Sequence, residues 1–268
     1  MKKKILIHLK SIDHHYRNAV RLALLVVGFH VLVAMSGLAQ DRVPERDTTA
    51  GPDFIVTPRI NSAGHFPFTG SLINRHVNAD LNVFYENRNN GFFVFKSHDL
   101  QDPHSIVNYL QPGIFRRIPI TRKFYLRLFF GYLFSQTSGF RDRDSDFYTA
   151  GVGYWTLADN LTVENTALFF DLLQSTKLAN RFLASWTPRT KVPFKIQLYV
   201  WHRLVFDSIH NSTSASFALN FPDVKLSHSV SVQATISYQG YISESKPAYA
   251  RRDGFLASLA FPIVIKNR

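Results

Sequence analysis

The chain has 268 residues, 46% of them apolar and 14% aromatic, with 24 Phe, 11 Tyr and no cysteine. So much aromatic surface can offset chain entropy, which argues against a disordered chain, and the missing cysteines exclude disulfides, thiolate metal sites and cysteine nucleophiles. The formal charge of +12 is spread without a dense basic helix or a nucleic-acid motif, so no nucleic-acid partner is expected.

The first element is an address. Lys2, Lys3 and Lys4 open the chain, residues 22–35 read LALLVVGFHVLVAM, and Gly37, Leu38 and Ala39 put small residues three apart. That order predicts a secretory signal peptide over residues 1–39. An uncleaved anchor is the alternative, since 22–40 is just long enough to cross a bilayer. Removing 1–39 takes away six Lys/Arg and one Asp, which lowers the formal charge from +12 to +7. Residues 40–53 are polar and read as a flexible periplasmic spacer.

From residue 54 onward the repeating signal is period two, the mark of strands with unlike faces. In chain order the expected strands are 54–63, 75–86, 92–97, 105–119, 124–136, 146–157, 161–172, 178–187, 194–205, 212–221, 224–240 and 254–265. That makes twelve, with ten as the competing count. In 124–135, Phe124, Leu126, Leu128, Phe130, Tyr132 and Phe134 oppose Tyr125, Arg127, Phe129, Gly131, Leu133 and Ser135. In 224–238, Val230, Val232, Ala234 and Ile236 alternate with Ser229, Ser231, Gln233 and Thr235. Most of these runs reach about ten residues, the length a tilted strand needs to cross a membrane.

Three segments fit poorly. Pro112-Gly113 calls for a bulge or a break in its strand. In 161–172 the parity is mixed, because Thr162, Glu164 and Thr166 share a face with Leu168 and Phe170, and a bulge would repair it. Segment 54–63 contains Pro58 and is the weakest strand.

The connections alternate between a longer set (64–74, 98–104, 137–145, 173–177, 206–211, 241–253) and a shorter one (87–91, 120–123, 158–160, 188–193, 222–223). With these features the chain resembles the outer-membrane β-barrel proteins of Gram-negative bacteria. The likeness covers 54–268 and is one of architecture, without a diagnostic motif. It implies an all-β, antiparallel, up-and-down transmembrane barrel in the cell outer membrane, with short periplasmic turns and longer outer loops. It also implies contact with outer-membrane lipid and lipopolysaccharide, while oligomeric state stays open. The chain ends Lys266-Asn267-Arg268, where such proteins often end in an aromatic residue.

Tyrosine and tryptophan gather at headgroup level in such barrels, which here nominates Tyr132, Tyr148, Tyr154, Trp186 and Tyr238. Inward parity nominates Asp80, Glu86, Arg127, Lys195 and Arg203 as lumen residues that set selectivity, beside Ser227, Ser229, Ser231, Gln233 and Thr235. The same charges can instead pair and plug a narrow bore. Asp142, Asp144 and Asp146 have the spacing of the first ligands of an EF-hand, but Phe147 stands where that loop needs Gly. The interleaved arginines favour a self-paired loop.

His202 has lipid-facing parity near the outer rim, with Thr213 and Asn180 on neighbouring strands. That arrangement resembles an outer-membrane phospholipase, a family whose serine nucleophile has no counterpart here, so no catalytic residue is carried over. No cofactor and no metal are expected. The favoured reading is a non-enzymatic barrel, either a passive pore for small polar solutes or a scaffold for envelope partners. A lipid-modifying hydrolase acting at the outer leaflet and a soluble secreted β-sandwich binding protein are the alternatives.

Overall fold

The computed structural model describes residues 53–66, 71–135, 145–173, 176–189, 194–205, 212–244 and 253–266. The expected signal peptide and nearly all of the expected spacer, residues 1–52, lie outside them, as do Asp142 and Asp144. The described residues form sixteen strands: β1 (Asp53–Asn61), β2 (His65–Phe66), β3 (Ser71–Leu72), β4 (Asn78–Asn87), β5 (Asn90–Asp99), β6 (Tyr109–Pro119), β7 (Phe124–Ser135), β8 (Asp146–Ala158), β9 (Leu161–Phe170), β10 (Lys177–Trp186), β11 (Lys195–Val205), β12 (Ser212–Asn220), β13 (Val224–Lys225), β14 (Ser231–Glu244), β15 (Gly254–Ala260) and β16 (Ile263–Lys266).

From β4 to β12 each strand pairs antiparallel with the next, β12 pairs β14 and β14 pairs β15. The ring closes because β1 pairs β4 along one edge and both β15 and β16 along the other. Counting β15 and β16 as one interrupted stave, twelve staves form the wall. Closure removes every free edge, as a backbone in hydrocarbon requires. It also removes the two-layer sandwich from consideration, since one continuous sheet runs back to its own first strand.

The two faces of the wall differ as the alternation predicts. Leu128, Phe130, Leu198, Phe217, Ile236 and Leu259 are each between 46% and 49% exposed. Their sequence neighbours on the other parity, such as Ser214, Ser216, Ser237 and Gln239, are buried. An apolar exterior around a closed ring is a surface built for lipid, where ordinary soluble domains expose no such continuous patch. Among the described residues no helix is long and apolar enough to cross a membrane; strands do the crossing.

The doubtful segments resolve in instructive ways. β1 forms despite Pro58, whose carbonyl accepts from the Phe261 amide at 2.8 Å. β6 runs through Pro112 with no register shift: Leu110 pairs Phe134 and Gly113 pairs Gly131, and only the ladder at Gln111 and Pro112 is skipped. The expected repair of 161–172 is absent. β9 holds one register against β10 from Leu161 to Phe170, so Leu168 and Phe170 point inward with Glu164 and Thr166.

The expected strand 224–240 is shifted. Val224 and Lys225 fold back on β14 as β13, and the wall strand runs from Ser231 to Glu244. Serines 227 and 229 therefore sit in a turn rather than on the lumen wall, where the Ser227 hydroxyl accepts from the Ser229 and Val230 amides. The 221–230 connection is longer than foreseen, and 187–194 exceeds 171–176, so the alternation of long and short connections holds from β4 to β10 and fails beyond β10.

Candidate functional site

The interior of the ring is the candidate site. Its outer mouth is built on Asp99, the last residue of β5, which is 1% exposed. One carboxylate oxygen accepts from the Gln101 and Asp102 amides, each at 2.9 Å. The other accepts from Asn74 Nδ2 at 2.7 Å and lies 3.0 Å from His76 Nδ1. Asn74 in turn takes the Gly64 amide on Oδ1 at 3.0 Å. These bonds hold the β2–β3 hairpin in the mouth, where Ala63 and Leu72 pack on Leu256, an inward residue of β15. Sequence reading did not single out Asp99. The signal was there in its spacing from Asp102-Pro103, typical of an aspartate that caps the turn after its own strand.

Below the mouth a buried polar network crosses the closing seam. Asn61 Nδ2 donates to Asp80 Oδ2 at 2.6 Å, Asn78 Nδ2 donates to Asp80 Oδ1 and Ser97 Oγ, and Ser258 Oγ donates to Asn61 Oδ1. Four strands, β15, β1, β4 and β5, are joined by side chains in this way. Within this network Asn78 Oδ1 alone of the named side-chain atoms has no hydrogen-bond partner among the described residues.

The remaining nominated charges separate by level. Glu86 and Arg127 pair at 3.1 Å, though β5 and β6 lie between their strands. The reach is possible because Phe115 lies over Gly91, where an added Cβ would meet Phe115 Cζ at 2.3 Å. Phe115 stacks on Phe84, and the Arg127 guanidinium sits over both rings, 4.9 and 5.2 Å from their centroids. A second pair, Arg181 with Glu164, joins β10 to β9 and also involves Thr166. Lys195 is exposed at the end of the barrel that carries both termini of the wall. Arg203 is buried near the opposite end, its guanidinium 5.9 Å from the Phe170 ring centroid. The five nominated charges thus form no single cluster.

The two halves of the inner wall are chemically unlike. On β10, β11, β12 and β14 a chain of bonds runs from Ser185 through Gln197 and Asn220 to Thr235. Tyr199 donates to Gln197 Oε1 at 2.9 Å. Ser212, Ser214, Ser216, Ser237 and Gln239 continue this hydroxyl and amide surface. On β5 to β10 the inner face carries an apolar cluster between its two ion pairs: Tyr148, Ala150, Leu168 and Ala179 pack with Phe93, Phe129 and Phe170. Tyr148 and Tyr154 belong to this inner face, so the expected headgroup girdle loses two members; the outward positions between them include Gly151 and Gly153, which carry no apolar side chain to mark the lipid face. Tyr132 has outward parity, and Trp186 and Tyr238 are 45% and 46% exposed on the lipid side.

On the lipid side near the outer rim, His202 Nδ1 lies 2.9 Å from Thr213 Oγ1. Asn180 stands directly opposite His202 in the ladder, but its side chain bonds Asn165 and the Thr166 carbonyl. Asp146, the one described member of the aspartate trio, accepts from the Phe147 and Leu173 amides. Among the described residues no group of three or more His, Asp or Glu could hold a metal ion.

No protein-family model matches this sequence, and no curated protein does. Solved structures do resemble it in fold. The KdgM porin superposes with a TM-score of 0.52 at 8% identity, covering 78% of this chain and 98% of the porin. The NanC porin gives a TM-score of 0.48 at 11% identity, over 80% of this chain and all (100%) of that one. An outer membrane channel from Pseudomonas putida F1 gives 0.47 at 10% identity, covering 84% of this chain and 100% of the channel.

Proposed function

We propose that this chain is a passive channel of the bacterial outer membrane for small solutes. The observation that supports it is a closed ring with a lipid-compatible exterior and an inner wall half covered by hydroxyl and amide groups. Such a wall offers exchangeable hydrogen bonds in place of a solute's water, so passage costs little. Arg127, Glu86, Asp80, Lys195 and Arg203 then bias which charge passes, and the β2–β3 hairpin narrows access at the mouth. The proposal includes export by the signal peptide and contact of the apolar belt with lipid and lipopolysaccharide.

The test is planar-bilayer recording on the refolded mature chain. Discrete conductance steps are expected, with altered ion selectivity in Arg127→Ala and Lys195→Ala. A silent bilayer from correctly folded protein overturns the channel and leaves the scaffold reading. The His202–Thr213 contact favours a second reading, lipid hydrolysis at the outer leaflet with His202 as base. Hydrolysis of a phospholipid by the wild type but not by His202→Ala would support it; equal rates, or none, would dispose of it.

A further inference from the structure

We infer that the inner wall holds a binding recess for a small neutral aromatic solute carrying a hydroxyl group, of which phenol is the simplest. The recess is a space of about 130 Å³ whose floor is Ala150, Val152, Leu168 and Ala179, between the rings of Phe93 and Phe129. All of these side chains have inward parity on adjacent strands, from β5 to β10.

Two features open the space. The residues at 150, 152 and 179 are small, so they do not meet the rings across from them. Tyr148 lies flat over Gly131, where an added Cβ would sit 2.3 Å from its hydroxyl oxygen. A packed protein interior leaves few voids larger than a water. An apolar cavity of about 150 Å³ in an unrelated protein stays dry and takes benzene. The space here is of similar size and opens on the lumen, so covering its apolar floor with a ring removes that surface from water.

The polar groups around the floor define the substituent. Gln111 is 3% exposed, and its Oε1 has no hydrogen-bond partner among the described residues. Arg181 Nε is likewise unpartnered. An acceptor and a donor therefore line the recess, together with the Tyr148 hydroxyl, which also has no partner by geometry and lies beside Gln111. A phenolic O–H donates to Gln111 Oε1, and its oxygen accepts from Arg181 Nε–H. The charge of Arg181 is already matched by Glu164, so an anionic ring would lose its hydration with no free cation to replace it. A solute with no ring would leave the floor uncovered.

Saturation-transfer NMR and calorimetry with phenol on the refolded mature chain in detergent test this directly. Saturable binding is expected in the wild type and its loss in Ala150→Phe, which fills the recess. Gln111→Leu should weaken phenol roughly five- to tenfold and leave toluene unchanged, because only phenol uses the lost acceptor. Heat-modifiable migration on a gel establishes that each variant is folded. Uptake that does not saturate and is equal in wild type and Ala150→Phe means partition into the micelle and overturns the recess. A Gln111→Leu effect that is equal for phenol and toluene overturns the assigned hydrogen bond. The biological use of the recess rests on the channel reading, and the two fail separately. Conductance without saturable phenol binding removes the recess alone; saturable binding with a silent bilayer removes the channel alone.

Discussion

The strands β5 to β9 and the strands β11, β12 and β14 meet lipid in the same way and the interior in opposite ways. Outside, both present Leu, Phe and Ile on one parity: Leu128 and Phe130 on the first side, Leu198, Phe217 and Ile236 on the second. Inside, the first side turns in rings that lie across glycines, and the second turns in serines that stand opposite larger residues, Ser216 beside Tyr199 and Ser214 beside Trp201. Hydrocarbon constrains one face of each strand and leaves the other free. The inner face is then governed by what stands beside it, so one barrel can carry two kinds of interior.

The sharpest way to break this comparison is to add volume on each side. Gly131→Leu forces a side chain into Tyr148 Oη at 2.3 Å and the Pro112 carbonyl oxygen at 2.5 Å from its first carbon. Because one obstacle is backbone, we expect a loss of about 3 kcal/mol or a failure to refold, read from the temperature at which gel migration changes. Ser216→Ala on the hydroxyl side should stay within about 0.5 kcal/mol, since the Ser216 Oγ has no hydrogen-bond partner among the described residues. Comparable effects at the two sites would refute the division of the wall.

Arg127→Ala should have the next largest effect. It removes the Arg127 guanidinium from the Glu86 carboxylate, which is 6% exposed. A loss of about 2–3 kcal/mol is expected, below the range for a fully buried pair because Arg127 keeps some access to lumen water. Arg127→Ala combined with Glu86→Gln should recover most of that loss. A double variant as unstable as the single one would mean that stacking on Phe84 and Phe115, rather than the ion pair, carries the stabilisation.

The smallest effect concerns the mouth. Burial lowers the pKa of His65 from its ordinary value, Asp80 opposes that shift and Arg59 adds to it. A histidine that binds its proton less readily when folded stabilises the fold fully above the ordinary histidine pKa, and that contribution is lost as pH falls below it. Between about pH 7.5 and about pH 5, the β2–β3 hairpin should therefore loosen on acidification. Amide exchange at Ile73, whose N–H donates to the Gly64 carbonyl, reports this once corrected for intrinsic rates. His65→Phe should abolish the pH dependence; if it does not, another group controls the mouth.

Much of the wall was legible in the sequence because alternation is local. Runs such as 124–135 and 212–221 state their outward face without reference to any partner, and ten of the twelve expected strands match the observed ones closely. The 224–240 run misled because Val224, Leu226, His228 and Val230 keep the same parity as the strand that follows while lying in a turn that folds back on it. Strand parity nominated the lumen charges one by one. Which acid would meet which base was not legible: Glu86 and Arg127 are 41 residues apart and joined across two intervening strands.

Sequence alone determined the parity of most strands, β8 excepted, their order around the ring and the apolar exterior, because a period of two needs only the next residue but one. The tertiary structure decided what fills the ring: that Leu168 and Phe170 point inward beside Glu164, that Asp99 seats a hairpin in the mouth, and that an aromatic recess faces a hydroxyl wall. Those outcomes depend on register between strands and on glycines that let rings lie flat, and both exist only once the ring has closed.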